Sequence, residues 1–210
     1  MTNPAAIEFF FDVGSPYSYL AAVEVGALSA RTGVPVRWRP FLLGAVFKAS
    51  GNDMPARIAA KARFMLGDLS RWAALYGVPF RMSSRFPLNT LRTQRALMAA
   101  SLAAGEQAVP DFALALFRAY WVDDRDVSAD AEIAAIASTV GLDGAAIVAG
   151  IDAQPAKDAL RATTEEAVSR GAFGAPTMFY GDAMFWGNDR LLLLEAAIVG
   201  DAAVRARLGH

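Results

Sequence analysis

The residues best suited to do chemistry lie at the starts of predicted helices. Ser15-Pro16-Tyr17-Ser18 follows an apolar run and opens a helical pattern. Ser15 is a good N-cap, and Pro16 suits the first helical turn. A helix start presents unpaired N–H groups and about half a positive charge, so an anion beside Ser15 is stabilised. Two readings of Ser15 stand: a cap only, or a hydroxyl that also donates to a bound anion. Asn188 and Asp189 open the last helical pattern and carry a similar pair of readings. They are caps, or polar groups that hold a ligand at the helix start. Pro176 closes the breaker cluster Gly171-Ala172-Phe173-Gly174-Ala175-Pro176. It is a plain turn, or a cis proline that turns the Ala175 backbone toward the helix start. Lys48, Asn52 and Lys61 lie in or near the loop after the second predicted strand, either as a solvated face or as groups for a carboxylate. Arg85, Asn89 and Arg92 form a third polar group, with Asn89 and Arg92 on one helix face. They are a cap with surface arginines, or a clamp for a substrate carboxylate with Phe86 or Trp186 against an aromatic ring.

Composition narrows the chemistry. The chain has 210 residues and 22.3 kDa, enough for one domain with an insertion or two small ones. Apolar residues make up 55%, charged residues 20%, and mean hydropathy is +0.30, which excludes a disordered chain. Twenty basic against twenty-one acidic side chains give a net charge of −1, which argues against nucleic acid as a partner. There is no cysteine, so disulfides, thiolate metal sites and a protein thiol nucleophile are excluded. The single histidine is His210, the last residue, expected to fray, so a Ser-His-Asp triad and histidine-bound zinc are not expected. A nucleophile must come from Ser, Thr, Tyr, Lys, a carboxylate or a bound small molecule. No run reaches the roughly 18 apolar residues of a membrane span. Met1–Phe11 lacks a basic residue and carries Glu8, making it a poor signal peptide. A cytoplasmic protein with no membrane partner is the expectation.

The elements that must position these groups are legible from pattern. A buried strand is expected over Ala6–Asp12, a helix over Tyr17–Arg31 stopped by Gly33, and a second strand over Val34–Leu43. Strand, helix, strand suggests a parallel pair with a crossover helix. A turn follows at Gly51–Pro55. A helix over Arg57–Tyr76 has the stripe Ile58, Ala62, Met65, Leu69, Trp72 and Tyr76. Asn89 caps a helix running to about Ala104, and further helices are expected at Pro110–Trp121, Ser128–Val140, Gly144–Ile151 and Pro155–Arg170. Thr177–Tyr180 and Ala183–Trp186 form a hairpin around Gly181-Asp182, and Asn188-Asp189 caps a final helix over Arg190–Val199. The order is βαβ, helical block, ββα. The expected division is residues 1–44 with 171–210, and a helical insertion over 45–170.

A βα unit with a polar pair at the helix start, and a later Gly-x-Pro before a hairpin, resembles the thioredoxin superfamily, here with Ser15-Pro16-Tyr17-Ser18 where Cys-x-x-Cys usually stands. The helical insertion resembles its DsbA-like branch. Phe11–Tyr19, Ser50-Gly51-Asn52, Lys61, Gly171–Pro176 and Trp186–Leu191, in that order, resemble the 2-hydroxychromene-2-carboxylate isomerases, which are similar to kappa-class glutathione transferases. The resemblance spans nearly the whole chain. It implies glutathione as cofactor, no metal, and a homodimer. The implied reaction interconverts 2-hydroxychromene-2-carboxylate and trans-o-hydroxybenzylidenepyruvate, an aromatic unsaturated keto acid, by reversible thiolate addition. Ser15 then contacts the sulfur, and the Ala175–Pro176 backbone pairs with the cysteinyl part. Asn188 and Asp189, with Trp186 and Gly187, take the γ-glutamyl end. Asn52 and Lys61 reach the glycine end, and Lys48, Arg85, Asn89 and Arg92 serve the organic substrate. Ala175 and Asn188 depart from the kappa-class pattern, where a larger residue and Ser are usual. The alternative is a kappa-class-like transferase that releases conjugates.

Overall fold

The computed structural model describes residues 6–209, so His210 lies outside the described residues. A four-stranded sheet with order β2-β1-β3-β4 organises the molecule. The strands are β1 (Ile7–Phe11), β2 (Val36–Pro40), β3 (Thr177–Tyr180) and β4 (Ala183–Trp186). β1 pairs parallel with β2, placing Phe9 opposite Trp38, and antiparallel with β3, placing Phe9 opposite Met178. The hairpin β3–β4 sets Thr177 against Trp186. The crossover between β1 and β2 is α1 (Pro16–Thr32), stopped by Gly33 in a left-handed conformation.

β1 is buried on both faces, which is why IEFFF reads as a nearly continuous apolar run. Phe9 and Phe11 join one core with Leu20, Val25 and Leu28 of α1. Phe10 faces the other way, into a smaller core with Phe41, Val46, Ala167 and Phe179. Helices supply both layers: α2 (Leu43–Ser50), α3 (Ala59–Tyr76), α4 (Leu91–Ala104), α5 (Val109–Trp121), α6 (Asp130–Thr139), α7 (Gly144–Ile151) and α8 (Gln154–Ser169). α9 (Leu191–Val199) and α10 (Asp201–Leu208) close the chain. Glu195 of α9 is buried and held by Arg31 of α1 at 3.0 Å and Arg207 of α10 at 3.1 Å. Among the described residues no helix is long and apolar enough to cross a membrane.

Several expectations are corrected. The second strand ends at Pro40 rather than Leu43, because Leu43 begins a helix that sequence patterning does not show. α2 has no capping side chain of its own at Leu42; its Leu43 N–H is taken instead by Asp12, 31 positions away. The stripe on α3 holds for Met65 and Leu69, but Ile58 precedes the helix and is 54% exposed. On α1 a helical spacing of Leu20, Val23, Ala27 and Leu28 in the sequence predicts the buried face, but Ala27 is exposed and Ala21 and Val25 are buried instead. The residue that caps α4 by position is Thr90, and Asn89 accepts the Leu91 N–H at 3.0 Å from one residue further out. Asn188 and Asp189 belong to a short 3₁₀ turn, Asn188–Arg190, and make no side-chain cap on α9.

The helical insertion shares the sheet's core through Phe117 of α5, fully buried 5.7 Å from the ring of Phe11 and 6.1 Å from that of Tyr19. Phe117→Ala is expected to cost about 3–5 kcal/mol. In urea titrations the midpoint should fall with the slope unchanged.

Candidate active site

The loop between β1 and α1 is held by side chains rather than by its own sequence. Asp12 is buried, and its Oδ1 accepts the Gly14 N–H at 2.9 Å and the Thr90 hydroxyl at 2.7 Å. Its Oδ2 accepts the Leu43 N–H at 2.9 Å. Gln94 of α4 donates to the carbonyls of Phe11 at 2.8 Å and Phe41 at 2.9 Å, and accepts the Val13 N–H at 3.4 Å. The Trp121 indole donates to the Val13 carbonyl at 2.8 Å. Gly14 is needed here for close approach. A Cβ on it would lie 3.0 Å from Thr90 Cγ2 and 3.4 Å from Asp12 Oδ1, with Thr90 fixed by its own bond.

Ser15 emerges from this loop as the N-cap of α1, with extended backbone and 5% exposure. Its Oγ accepts the Ser18 N–H at 3.1 Å and donates to the Ala175 carbonyl at 3.2 Å. The capping reading therefore holds, and the hydroxyl proton rests on a carbonyl across the site. At 3.2 Å that O–H···O bond is long, so a better acceptor can displace it. Ser18 is fully buried, and its hydroxyl has no hydrogen-bond partner among the described residues.

Opposite Ser15, the Ala175–Pro176 peptide is cis, the second of the two readings left open for Pro176. The Ala175 N–H enters no hydrogen bond among the described residues. Gly187 N–H donates to the Pro176 carbonyl at 3.0 Å, drawing the end of β4 onto this loop. Trp186, 44% exposed, lies against Phe173 with ring centres 4.7 Å apart. It crosses Gly174 so closely that a Cβ there would sit 2.5 Å from the indole nitrogen. Asn52 donates to the Phe173 carbonyl at 2.9 Å, pinning the loop after α2 to the same place. Asn188 is buried, its amide 3.5 Å from the Tyr76 hydroxyl, and that hydroxyl donates to the Asn188 carbonyl at 3.4 Å. Asp189 is partly exposed beside Tyr17, whose hydroxyl donates to Asp68 at 2.9 Å. Burial first, then Asp68, then the Asp189 charge push the Tyr17 hydroxyl up from its ordinary value, so it is no acid at neutral pH.

The structure thus brings together Ser15, Asn52, Ala175, Pro176, Trp186, Gly187 and Asn188, with Asp189 at the rim. It does not join the basic candidates to them. Lys48 and Lys61 are exposed and form no ion pair among the described residues. Arg92 is paired with Asp130 at 2.7 Å and Asp152 at 3.1 Å, and Arg85 donates to the Asp124 carbonyl at 2.9 Å. Asn89 and Arg92 line a separate cleft of about 250 Å³ with Leu91 and Ser128. Phe86 leans on Trp121, with ring centres 5.9 Å apart. Asp12, Thr90, Gln94 and Trp121 were not singled out in the sequence. Only the Asp12-x-Gly14 turn left a local signal; the other three are distant in the chain and invisible to spacing.

A cysteine-free thioredoxin fold, with a serine at the helix start facing a cis proline, defines a DsbA-like domain with no thiol of its own. The chain belongs to the DSBA-like thioredoxin domain family, whose model matches residues 6–199, and within it to the family of the 2-hydroxychromene-2-carboxylate isomerases. It is 35% identical to the isomerase of that name from Sphingobium xenophagum, over 92% of this chain and 97% of that protein. It is 30% identical to glutathione S-transferase kappa 1 of Rattus norvegicus, over 94% of this chain and 92% of the relative. A solved 2-hydroxychromene-2-carboxylate isomerase superposes with a TM-score of 0.84 at 29% identity, covering 97% of this chain and 98% of that one.

The loop leading to the basic candidates hangs on Asp124, which holds a left-handed backbone with φ 57°. Hydrogen bonds from the Ser83 hydroxyl, then from Ser84, then the Arg81 charge hold its carboxyl at about 2. A depressed value stabilises the fold above the ordinary carboxylate range and is lost as pH falls through about 2. Asp124→Asn keeps the shape and tolerates this backbone. The gap in melting temperature between wild type and Asp124→Asn is expected to close as pH is lowered from about 4 to about 2.

Proposed function

We propose that the protein is a glutathione-dependent isomerase that interconverts 2-hydroxychromene-2-carboxylate and trans-o-hydroxybenzylidenepyruvate. The single observation that carries this reading is Ser15, with its hydroxyl at a helix start and its proton on a displaceable acceptor, in a chain with no cysteine. The residues fit glutathione on structural grounds. Ser18 offers an unpartnered buried hydroxyl behind Ser15, and the unused Ala175 N–H suits strand-like pairing with a peptide. When bound, glutathione supplies the sulfur nucleophile whose addition removes double-bond character and whose departure restores conjugation.

The chain's own part is binding, orientation and charge. Ser15 turns its hydroxyl from the Ala175 carbonyl to an anion at the start of α1, where the helix dipole adds to the attraction. A thiol lowered by two pK units corresponds to about 2.7 kcal/mol, within reach of one charge-assisted hydrogen bond plus a helix terminus. Asp189 takes an ammonium, and the N–H groups of the 188–190 turn take the neighbouring carboxylate. Asn52 fixes the loop that carries the glycine end. Of the basic candidates, Lys61 and Lys48 are the ones we assign to carboxylates. Arg85 and Arg92 already face Asp124, Asp130 and Asp152 and so have less to give a further anion. The exposed Trp186 is the ring offered to an aromatic substrate. By the family resemblance the protein is a homodimer, and on the sequence expectation it is placed in the cytoplasm.

The kappa-class relatives give a second reading, a transferase that releases a stable conjugate. One set of assays separates the two. Isomerisation of the chromene acid should vanish on omission of glutathione and fall about 10- to 100-fold in Ser15→Ala, the worth of a hydrogen bond to a charged group. Full turnover by thiol-free protein would remove the proposal. Accumulation of conjugate from a model aryl halide, without isomerisation, would select the transferase.

A further inference from the structure

The mechanism above leaves the buried Asp12 carboxyl unused, and it lies in the loop that carries Ser15. The Asp12 carboxylate is two residues before Gly14 and accepts its N–H, while the Asp12 backbone carbonyl accepts the Ser15 N–H at 3.0 Å. Its three partners are all donors: Gly14 N–H, Leu43 N–H and the Thr90 hydroxyl. That set suits an ionised carboxylate, which needs acceptor capacity only. No cation faces it. The titratable neighbour from α5 is Tyr120, fully buried, whose hydroxyl is pushed up to about 12 by burial, with the Asp12 charge adding to the effect. Nothing from α1, α2 or α4 neutralises the charge; those elements give only neutral donors.

We propose that Asp12 is a positioning residue for the sulfur site: its carboxylate fixes the Gly14–Ser15 backbone, and its buried negative charge limits how acidic a thiol bound at that helix start becomes. This rests on the glutathione reading. The helix start and Ser15 draw a thiolate in, while Asp12 below them opposes full ionisation. The balance has a chemical use. Nucleophilicity falls as thiol pKa falls, so a sulfur that must add and then leave is best kept near ambient pH. Burial pushes the Asp12 carboxyl itself up, against its hydrogen bonds to Leu43, Thr90 and Gly14, so its ionisation is sensitive to a second nearby anion.

The test uses the full chain, whose lack of cysteine makes every thiolate signal the ligand's. Calorimetry with reduced glutathione first establishes binding to the wild type. Thiolate ultraviolet absorbance of bound glutathione is then titrated against pH in wild type and Asp12→Asn. The variant should shift the titration to lower pH by on the order of one unit, the effect of removing one charge several Å away. A residue that only holds the fold would lower the melting temperature and leave this titration in place. Carbon NMR of the Asp12 carboxyl in the wild type decides the matter even if the variant does not fold. By linkage, glutathione must raise the pH at which Asp12 titrates. Binding with neither titration moved overturns the role of Asp12 and leaves the isomerase reading intact. No binding at all removes the sulfur site, and the inference with it.

Discussion

A carboxyl group in a dry place has to be hydrogen-bonded by its neighbours, and here that requirement organises the site. Asp12 cannot be buried unless donors surround it. The donors it collects come from three separate segments: the loop before α1, the start of α2 and the residue before α4. Gln94 repeats the pattern with neutral chemistry, tying Phe11 and Phe41 across the parallel strand ends. Trp121 completes it from α5. The helix start that carries Ser15 is thus fixed by the helical insertion as much as by the sheet. A thioredoxin-like sheet without α4 and α5 would leave Asp12, Val13 and the strand-end carbonyls with unmet hydrogen bonds.

The same economy governs Ser15. One hydroxyl caps α1 by accepting the Ser18 N–H, and its proton has only the Ala175 carbonyl to go to. Capping uses a lone pair and leaves the proton transferable, so structural and chemical roles do not compete. This resolves the two readings of Ser15 without choosing between them. The acceptor role is fixed by the helix, and the donor role is open to whatever anion arrives. With no cysteine in the chain, this helix start has no thiol of its own to offer.

Legibility followed the range of the interactions. β1, α1 and the β3–β4 hairpin were readable because their signals are local: an apolar run, a Ser-Pro start, a glycine stop, a Gly-Asp turn. α7 was read to the residue from Gly144 to Ile151. α2 was missed because its first N–H is satisfied by Asp12, and no local capping residue marks it. Asn188 was read as a cap because Asn before an apolar helix usually is one. Tertiary packing instead buries it against Tyr76, leaving α9 to follow from a 3₁₀ turn. α10 carries too mixed a pattern to stand out and is held by the Glu195–Arg207 pair. At the site, Ser15, Pro176 and the 186–189 segment were readable from residue types beside a helix start. The knot beneath them was not, since Thr90, Gln94 and Trp121 have no spacing in common with Asp12.

Charge patterning supplies the last constraint. Arginine and lysine look alike in a count of basic residues, but the fold treats them differently here. Arg92 bridges Asp130 and Asp152, and Arg85 and Arg81 converge on Asp124, so these guanidiniums act as clips between loops and helices. Planar, multidentate groups suit that work. A carboxylate ligand arriving at Arg92 would have to compete with Asp130 and Asp152 already in place, the latter also paired with Arg95. Lys48 and Lys61 are compact charges on flexible stems, exposed near the Asn52 loop, which itself docks beside Ala175. The arginines thus tie loops and helices of the frame together, and the two lysines are exposed cations that pair with no carboxylate among the described residues.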